Sequence, residues 1–438
     1  MTHILVIFFM ILGLLLSGCE SHNTTSTQLS GELDTDFGIG GIVTDNNASG
    51  GNGTDNGESI IVVNNSIYVA GYSSNAETSP SWDMALWAYN LDGSLNQNFG
   101  TNGIVTDNNA SGGNGNDIAN SLALAHSKLY VVGYSDSDVS TSLNLDMALW
   151  SYDLNGSLDA NFGTNGIVTD NNASGGNRND IGKSIFVTET KIYVAGSSTN
   201  SASKTDMTLW AYDLHGSLDP NFGTNGIVTD NNASGGNGND LGYALTIVNN
   251  KIYVAGESQG VNFRNMTLWS YNLDGSVNTD FGGGNGVVTY NNANGDSFAR
   301  AIAIKNNKIY LSGGSHNGVN VDLAIWRFNI DGTLDTNYGE DNGVTLFDSA
   351  GNGDIGNSIV IDDNENAIVS GTYSITSSVV VMFDSNGKVA SDNFATNGFY
   401  LDTNAVAYGS TFNNDKSKLY VTGHKIQTNI DMSIWSFK

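Results

Sequence analysis

Apolar residues along this chain gather in short runs set between Asn, Gly and Asp, and one order of runs keeps recurring. A single copy shows the pattern. Asn120 to Ala125 is an apolar run with small neighbours, and Lys128 to Tyr134 carries a Leu-Tyr-Val-Val-Gly core. Asp146 to Asp153 contains Met-Ala-Leu-Trp-Ser-Tyr, and Gly166 to Thr169 reads Gly-Ile-Val-Thr. Each run has strand length, is β-branched or aromatic, and ends in turn residues, so each copy predicts four strands. Asn64-Asn65, Asn249-Asn250 and Asn306-Asn307 separate the first two runs. Asparagine tolerates the positive φ of a two-residue hairpin turn. Asp92-Gly93, Asp274-Gly275 and Asp331-Gly332 serve the same purpose after the third run. Beyond residue 18 no stretch shows helical periodicity, and Pro80 and Pro220 are the only prolines.

A phenylalanine–glycine step marks each copy, at Phe37, Phe99, Phe162, Phe222, Phe281, Tyr338 and Phe394, with gaps of 62, 63, 60, 59, 57 and 56 residues. The chain therefore holds seven antiparallel four-stranded units. Their strands do not alternate: Met84-Ala85-Leu86-Trp87-Ala88-Tyr89 is apolar on both faces. A sheet apolar on both faces must lie between neighbours. Seven such sheets set radially bury every face, which predicts an all-β, seven-bladed β-propeller of four-stranded antiparallel blades. The chain opens on a fourth run, Gly41 to Thr44, and ends on a third, Asp431 to Trp435. The N-terminal strand is thus expected to complete the last blade and remove an open edge.

The first run of each unit is flanked by small residues, as Gly57 and Ser59 flank Glu58, which suits strands crowding an axis. The residue between the small pair is Glu58, Asn120, Lys183, Tyr243, Arg300, Asn357 or Tyr408. All seven are polar or aromatic. They are expected to gather at one mouth of the axial channel as a ligand-binding ring, with a solvated strand end as the alternative.

Acidic residues outnumber basic ones 44 to 16, for a formal charge of −28, which argues against nucleic acid and anionic lipid as partners. Ile4 to Leu16 is an apolar run short for a membrane span, and residues 1–18 read as an export signal. Leu16-Ser17-Gly18-Cys19 resembles the lipobox of bacterial lipoproteins, which implies lipidation of Cys19 and envelope location. Met1-Thr2-His3 lacks the usual basic residues, and a plain secretory signal is the alternative. Cys19 is the single cysteine, so no intramolecular disulfide can form. Residues 19–32 read as a Ser/Thr-rich tether and 33–438 as the propeller.

Gly156-Ser157-Leu158-Asp159 through Gly166-Ile167-Val168, with its later Val-Ala-Gly, resembles the delta-60 repeat family. The resemblance implies a propeller-like exported bacterial protein and brings no catalytic residues. Val381 in the tryptophan position and Ala395 after Phe394 depart from the pattern and suggest looser blades there.

The loop between units reads Thr-Asp-Asn-Asn-Ala-Ser-Gly-Gly-Asn from Thr44, Thr106, Thr169 and Thr229. Three readings stand open. It is a turn-rich crossover. It is a calcium loop led by Asp45, Asp107, Asp170 or Asp230, although Ile118 holds the position where an EF-hand has glutamate. Or it is a bacterial glycosylation sequon with acceptors Asn47, Asn109, Asn172 and Asn232.

No nucleophile elbow, zinc motif or phosphate loop appears, and no cofactor other than calcium is indicated. The functional expectation is a lipid-anchored, monomeric binding or adhesion scaffold. Its partner, protein or glycan, would meet the loops between second and third strands (72–82, 134–145, 197–205, 257–265, 314–321, 372–378 and 424–430), with the membrane touched only through the anchor. The alternatives are a structural envelope protein without a specific ligand, and a propeller enzyme acting on extracellular glycans.

Overall fold

A computed structural model describes residues 29–75, 81–113, 115–136, 144–291, 294–348, 353–374 and 376–438. The expected signal, Cys19 and most of the tether lie outside these residues. Among the described residues no helix is long and apolar enough to cross a membrane.

The chain is a seven-bladed β-propeller, each blade a four-stranded antiparallel sheet. The first blade comprises Asp55–Val63, Ser66–Ser73, Asp83–Asn90 and Ile104–Asp107, ordered from the axis outward. The Asn-Asn pairs form the hairpins as expected, with φ of 49° and 67° at Asn64 and Asn65. Met84, Ala85, Leu86, Trp87, Ala88 and Tyr89 are all buried, because both faces of the third strand meet neighbouring blades. Trp150 of the second blade packs with Leu86 and Ala88 of the first, and Trp210 of the third with Leu149 of the second.

The phenylalanine–glycine step joins blades. Phe99 stands edge-on to Tyr68 of its own blade, ring centres 5.8 Å apart, and the arrangement repeats for Phe162 with Tyr130 and Phe222 with Tyr193. The amide of Gly100 then donates to the carbonyl of Asn155 in the next blade's turn at 2.8 Å. These glycines need positive φ (51° at Gly100). Ala395 adopts the same conformation at 44°. The blade with Val381 in place of tryptophan keeps all four strands, and Val381 is fully buried. Phe347 fills the space there, against Phe383 and Phe399 at 6.3 and 5.5 Å.

The N-terminal strand Ile42–Asp45 is the outer strand of the last blade, paired with Ile430–Phe437 in the register Ile42 to Trp435 and Asp45 to Met432. The last residues of the expected tether, 29–32, contact the last blade. Leu29 is buried with Phe394 and Phe437, and Ser30 donates its amide to the Lys438 carbonyl at 2.8 Å. Ser30 also accepts from the Ala395 amide, as the turn carbonyl does at the other junctions. Residues 29–32 therefore belong to the ring closure.

Trp210→Ala should cost about 3–5 kcal/mol in denaturant unfolding, because it empties a site between two blades. Trp82→Ala, at a side chain 37% exposed, should cost less than about 1 kcal/mol.

Candidate functional site

Each inner strand carries a bulge at the same place. Gly57 pairs with Gly71 and Ser59 with Ala70, which leaves Glu58 as the extra residue between them. The same break places Asn120, Lys183, Tyr243, Arg300, Asn357 and Tyr408. A bulge kinks its strand and re-aims the extra side chain. Here all seven half-buried side chains line one cavity of about 660 Å³ at the axial mouth.

The glycine opposite each bulge makes it possible. A Cβ on Gly133 would lie 1.7 Å from the carbonyl oxygen of Ile118, and one on Gly256 1.9 Å from that of Leu241. The glycine that closes each Val-Ala-Gly core is thus set by the bulge, a relation that runs of apolar residues alone do not reveal.

Neighbouring ring members touch. Asn120 donates through Nδ2 to the Gly182 carbonyl at 2.8 Å and accepts from Lys183 Nζ at 3.4 Å. Asn357 donates to the Ala407 carbonyl at 2.9 Å. The Arg300 guanidinium lies 4.0 Å from the centre of the Tyr243 ring. Glu58 accepts from Asn56 Nδ2 at 2.6 Å, and Asn56 Oδ1 meets His424 Nδ1 at 2.9 Å. His424 packs beside Tyr408, ring centres 5.7 Å apart. From sequence it is one scattered histidine; its place near the ring follows from the last blade closing beside the first.

Burial pushes Glu58 up to about 7, with the Lys183 ammonium and the Asn56 amide opposing. Lys183 is lowered by burial and by Arg300, against the pull of Glu58. Burial holds His424 down at about 4, so it is neutral at pH 7. Two of the seven ring residues, Lys183 and Arg300, are basic and one, Glu58, is acidic, in a chain of formal charge −28. A groove of about 740 Å³ on the rim is larger, but it is lined by repeated loop residues such as Asn47 and Gly100 and recurs beside Asn109 and Gly163. It reflects the repeat, whereas the axial mouth is where the units differ.

The crossover loops lie on the same face as the mouth. Their Asp-Asn steps are tight turns: Asp45, Asp107, Asp170 and Asp230 accept from the amides of Asn47, Asn109, Asn172 and Asn232 at 3.2–3.3 Å. All four asparagines are exposed. Ser111 donates its amide to the Ser135 hydroxyl, and Ile118, where an EF-hand has glutamate, is buried on the inner strand. Instead each of these aspartates meets two others from elsewhere in the chain. Asp55 feels Asp45 and Asp431, Asp117 feels Asp107 and Asp83, Asp180 feels Asp170 and Asp146, and Asp240 feels Asp230 and Asp206. Burial above all, and this mutual repulsion, raise Asp55, Asp117, Asp180 and Asp240 to about 7. The second–third loops also open on this face; of these, residues 76–80, 137–143 and 375 lie outside the described residues.

Residues 191–222 and 305–338 match the family described as a domain of unknown function (DUF5122) beta-propeller. No curated protein matches the chain. Among solved structures, the polysaccharide lyase Uly1 is 11% identical, with 87% of this chain and 90% of that chain covered at a TM-score of 0.49. Semaphorin 2a of Drosophila is 10% identical over 87% of this chain and 73% of that chain, at 0.48. Sqt1 of Chaetomium thermophilum, bound to the N-terminus of ribosomal protein L10, is 10% identical over 85% and 93%, at 0.46. Fold and family match agree on the class: this is a β-propeller protein.

Gly256→Ala should destabilise the protein by about 2–4 kcal/mol through the carbonyl clash, read by denaturant unfolding. Gly112→Ala meets open space and strains only a positive φ of 87°, so about 1 kcal/mol is expected.

Proposed function

We propose that the protein is an envelope binding scaffold whose axial mouth takes an anionic ligand, an acidic glycan in the first instance. The observation that carries this reading is the gathering of all seven ring residues in one cavity, with Lys183 and Arg300 as its cations. Tyr243 and Tyr408 offer flat faces for a sugar ring, and Asn120 and Asn357 offer amide groups to its hydroxyls. The repeat's likeness to the delta-60 family and the lipobox-like Leu16 to Cys19 support export and a lipid anchor at Cys19. The exposed Asn47, Asn109, Asn172 and Asn232 remain available as sequon acceptors on such a surface.

One observation favours a second reading, a glycan-cleaving enzyme. Glu58, raised to about 7, is poised to give or take a proton near neutral pH. It shares the mouth with Tyr408 and lies one hydrogen-bonded residue from His424.

On an array of acidic and neutral glycans, the wild type should bind acidic members. Lys183→Glu with Arg300→Glu should weaken that binding at least about tenfold, or about 1.4 kcal/mol. Unchanged binding by the double variant would end the reading. Ionisation of Glu58 adds a negative charge, so affinity should fall as pH rises from 6 to 8, and Glu58→Gln should flatten that dependence. If the second reading holds, Glu58→Gln keeps binding but stops release of new reducing ends.

A further inference from the structure

Five blade junctions bring three aspartates together: one from the end of an outer strand, one from the start of a third strand, and one from the start of the next inner strand. They are Asp45 with Asp431 and Asp55, then Asp107 with Asp83 and Asp117. Asp170 with Asp146 and Asp180, Asp230 with Asp206 and Asp240, and Asp348 with Asp322 and Asp354 follow. Among the described residues only the last of these has a carboxylate oxygen from each residue within 4.8 Å of the other two; in the other four, strand register sets each outer-strand aspartate opposite the methionine that follows the third-strand aspartate. The inner-strand aspartates are buried completely or nearly so. Like charges buried together are costly unless something offsets them.

Two further observations point to what offsets them. First, Asp180 is fully buried and neither of its carboxylate oxygens meets a hydrogen-bond partner; the Ser198 hydroxyl and Ala173 amide nearby fall short of bonding geometry. One oxygen each of Asp55, Asp117, Asp240, Asp146, Asp322 and Asp431 is likewise buried and unsatisfied. Second, the junction before the last blade supplies its own cation. There the inner strand begins with Ala405 in place of aspartate, and the residue opposite is Lys425 in place of the serine that faces Asp55, Asp117, Asp180 and Asp240. Lys425 Nζ sits 2.8 and 3.0 Å from the oxygens of Asp402, which holds the outer-strand position. The surrounding frame is kept: Trp435 Nε1 donates to Asp402 at 2.8 Å as Trp87 Nε1 does to Asp45 at 3.2 Å. At the remaining junction the corresponding residues are Tyr290, Asn265 and Ser297, none of them acidic.

We propose that the five aspartate triads are cation sites, each taking one calcium ion between adjacent blades. An all-oxygen set of carboxylates, with serine hydroxyls beside it, is the donor chemistry of hard divalent cations. The ligands come from three strand ends rather than from one loop, so this is not an EF-hand. Because the triads lie on the face that carries the mouth and the variable loops, the ions fix that face in place. The tryptophan of the next blade provides an optical report at four of the triads, as Trp87 does beside Asp45; at the fifth, Val381 stands in that position.

The full protein, stripped with chelator, would be titrated with terbium while tryptophan is excited. Terbium uptake saturating near five ions per chain, with sensitised emission from the tryptophan-lined triads and displacement by calcium more readily than by magnesium, is the expected result. Calcium should also raise the melting temperature by several degrees over the chelated protein, as binding to the folded state alone requires. Asp180→Asn should lower the stoichiometry by one. An absence of sensitised emission with an unmoved melting curve in the wild type would overturn the proposal. So would a folded Asp180→Asn variant that binds as many ions as the wild type. Neither readout depends on glycan binding, so the fate of the mouth and that of the triads can be told apart.

Discussion

Every blade depends on being covered on both faces. The third strands are apolar throughout, and a sheet of that kind exposes a large hydrophobic area unless a neighbour lies on each side. A row of such sheets would always leave two faces wet. The circle is the arrangement that leaves none, and its size follows from the number of units the chain supplies. The tryptophans and the phenylalanine–glycine steps specify how the wedges meet: one fills the space between sheets, and the other ties the outer turn of one blade to the next. The substitution of Val381 shows the tolerance of this scheme, since Phe347 packs there from the outer strand of the preceding blade.

Charge is distributed unevenly over this frame. Acidic groups dominate the molecule as a whole and are buried in groups where blades join. Bases are few, yet two of them, Lys183 and Arg300, stand at the axis. A cation within a low-dielectric mouth is felt more strongly than the same charge on an open surface. A predominantly acidic molecule thus carries these two basic residues at its axis, where the bulges point the ring inward.

Much of this was legible in the residues themselves. The spacing of Phe37 to Phe394, the doubly apolar third runs and the split unit at the two ends specify blade number, strand order and closure. The ring was legible too, because Gly57 and Ser59 mark Glu58 as a large residue between small ones in a crowded strand. Less visible was the cause: the bulge is a matter of register between strands, and only the glycine opposite hints at it. The aspartate triads were hidden for a different reason. Asp107 reads locally as a turn former, Asp83 as a strand boundary and Asp117 as part of a loop, and their meeting depends on three separate strand ends arriving at one place. His424 was missed similarly, since its neighbour Asn56 is far away along the chain and adjacent only in the closed circle.

The seam of that circle has a mechanical side. Residues 29–32 and the strand Ile42–Asp45 hold the last blade's rim through backbone hydrogen bonds. Any tension applied upstream of Leu29 therefore reaches this seam before it reaches any other blade. It must first strip Ser30 from Lys438 and then peel a four-residue strand. A pull from that side is thus met by the seam, and the remaining six sheets are spared.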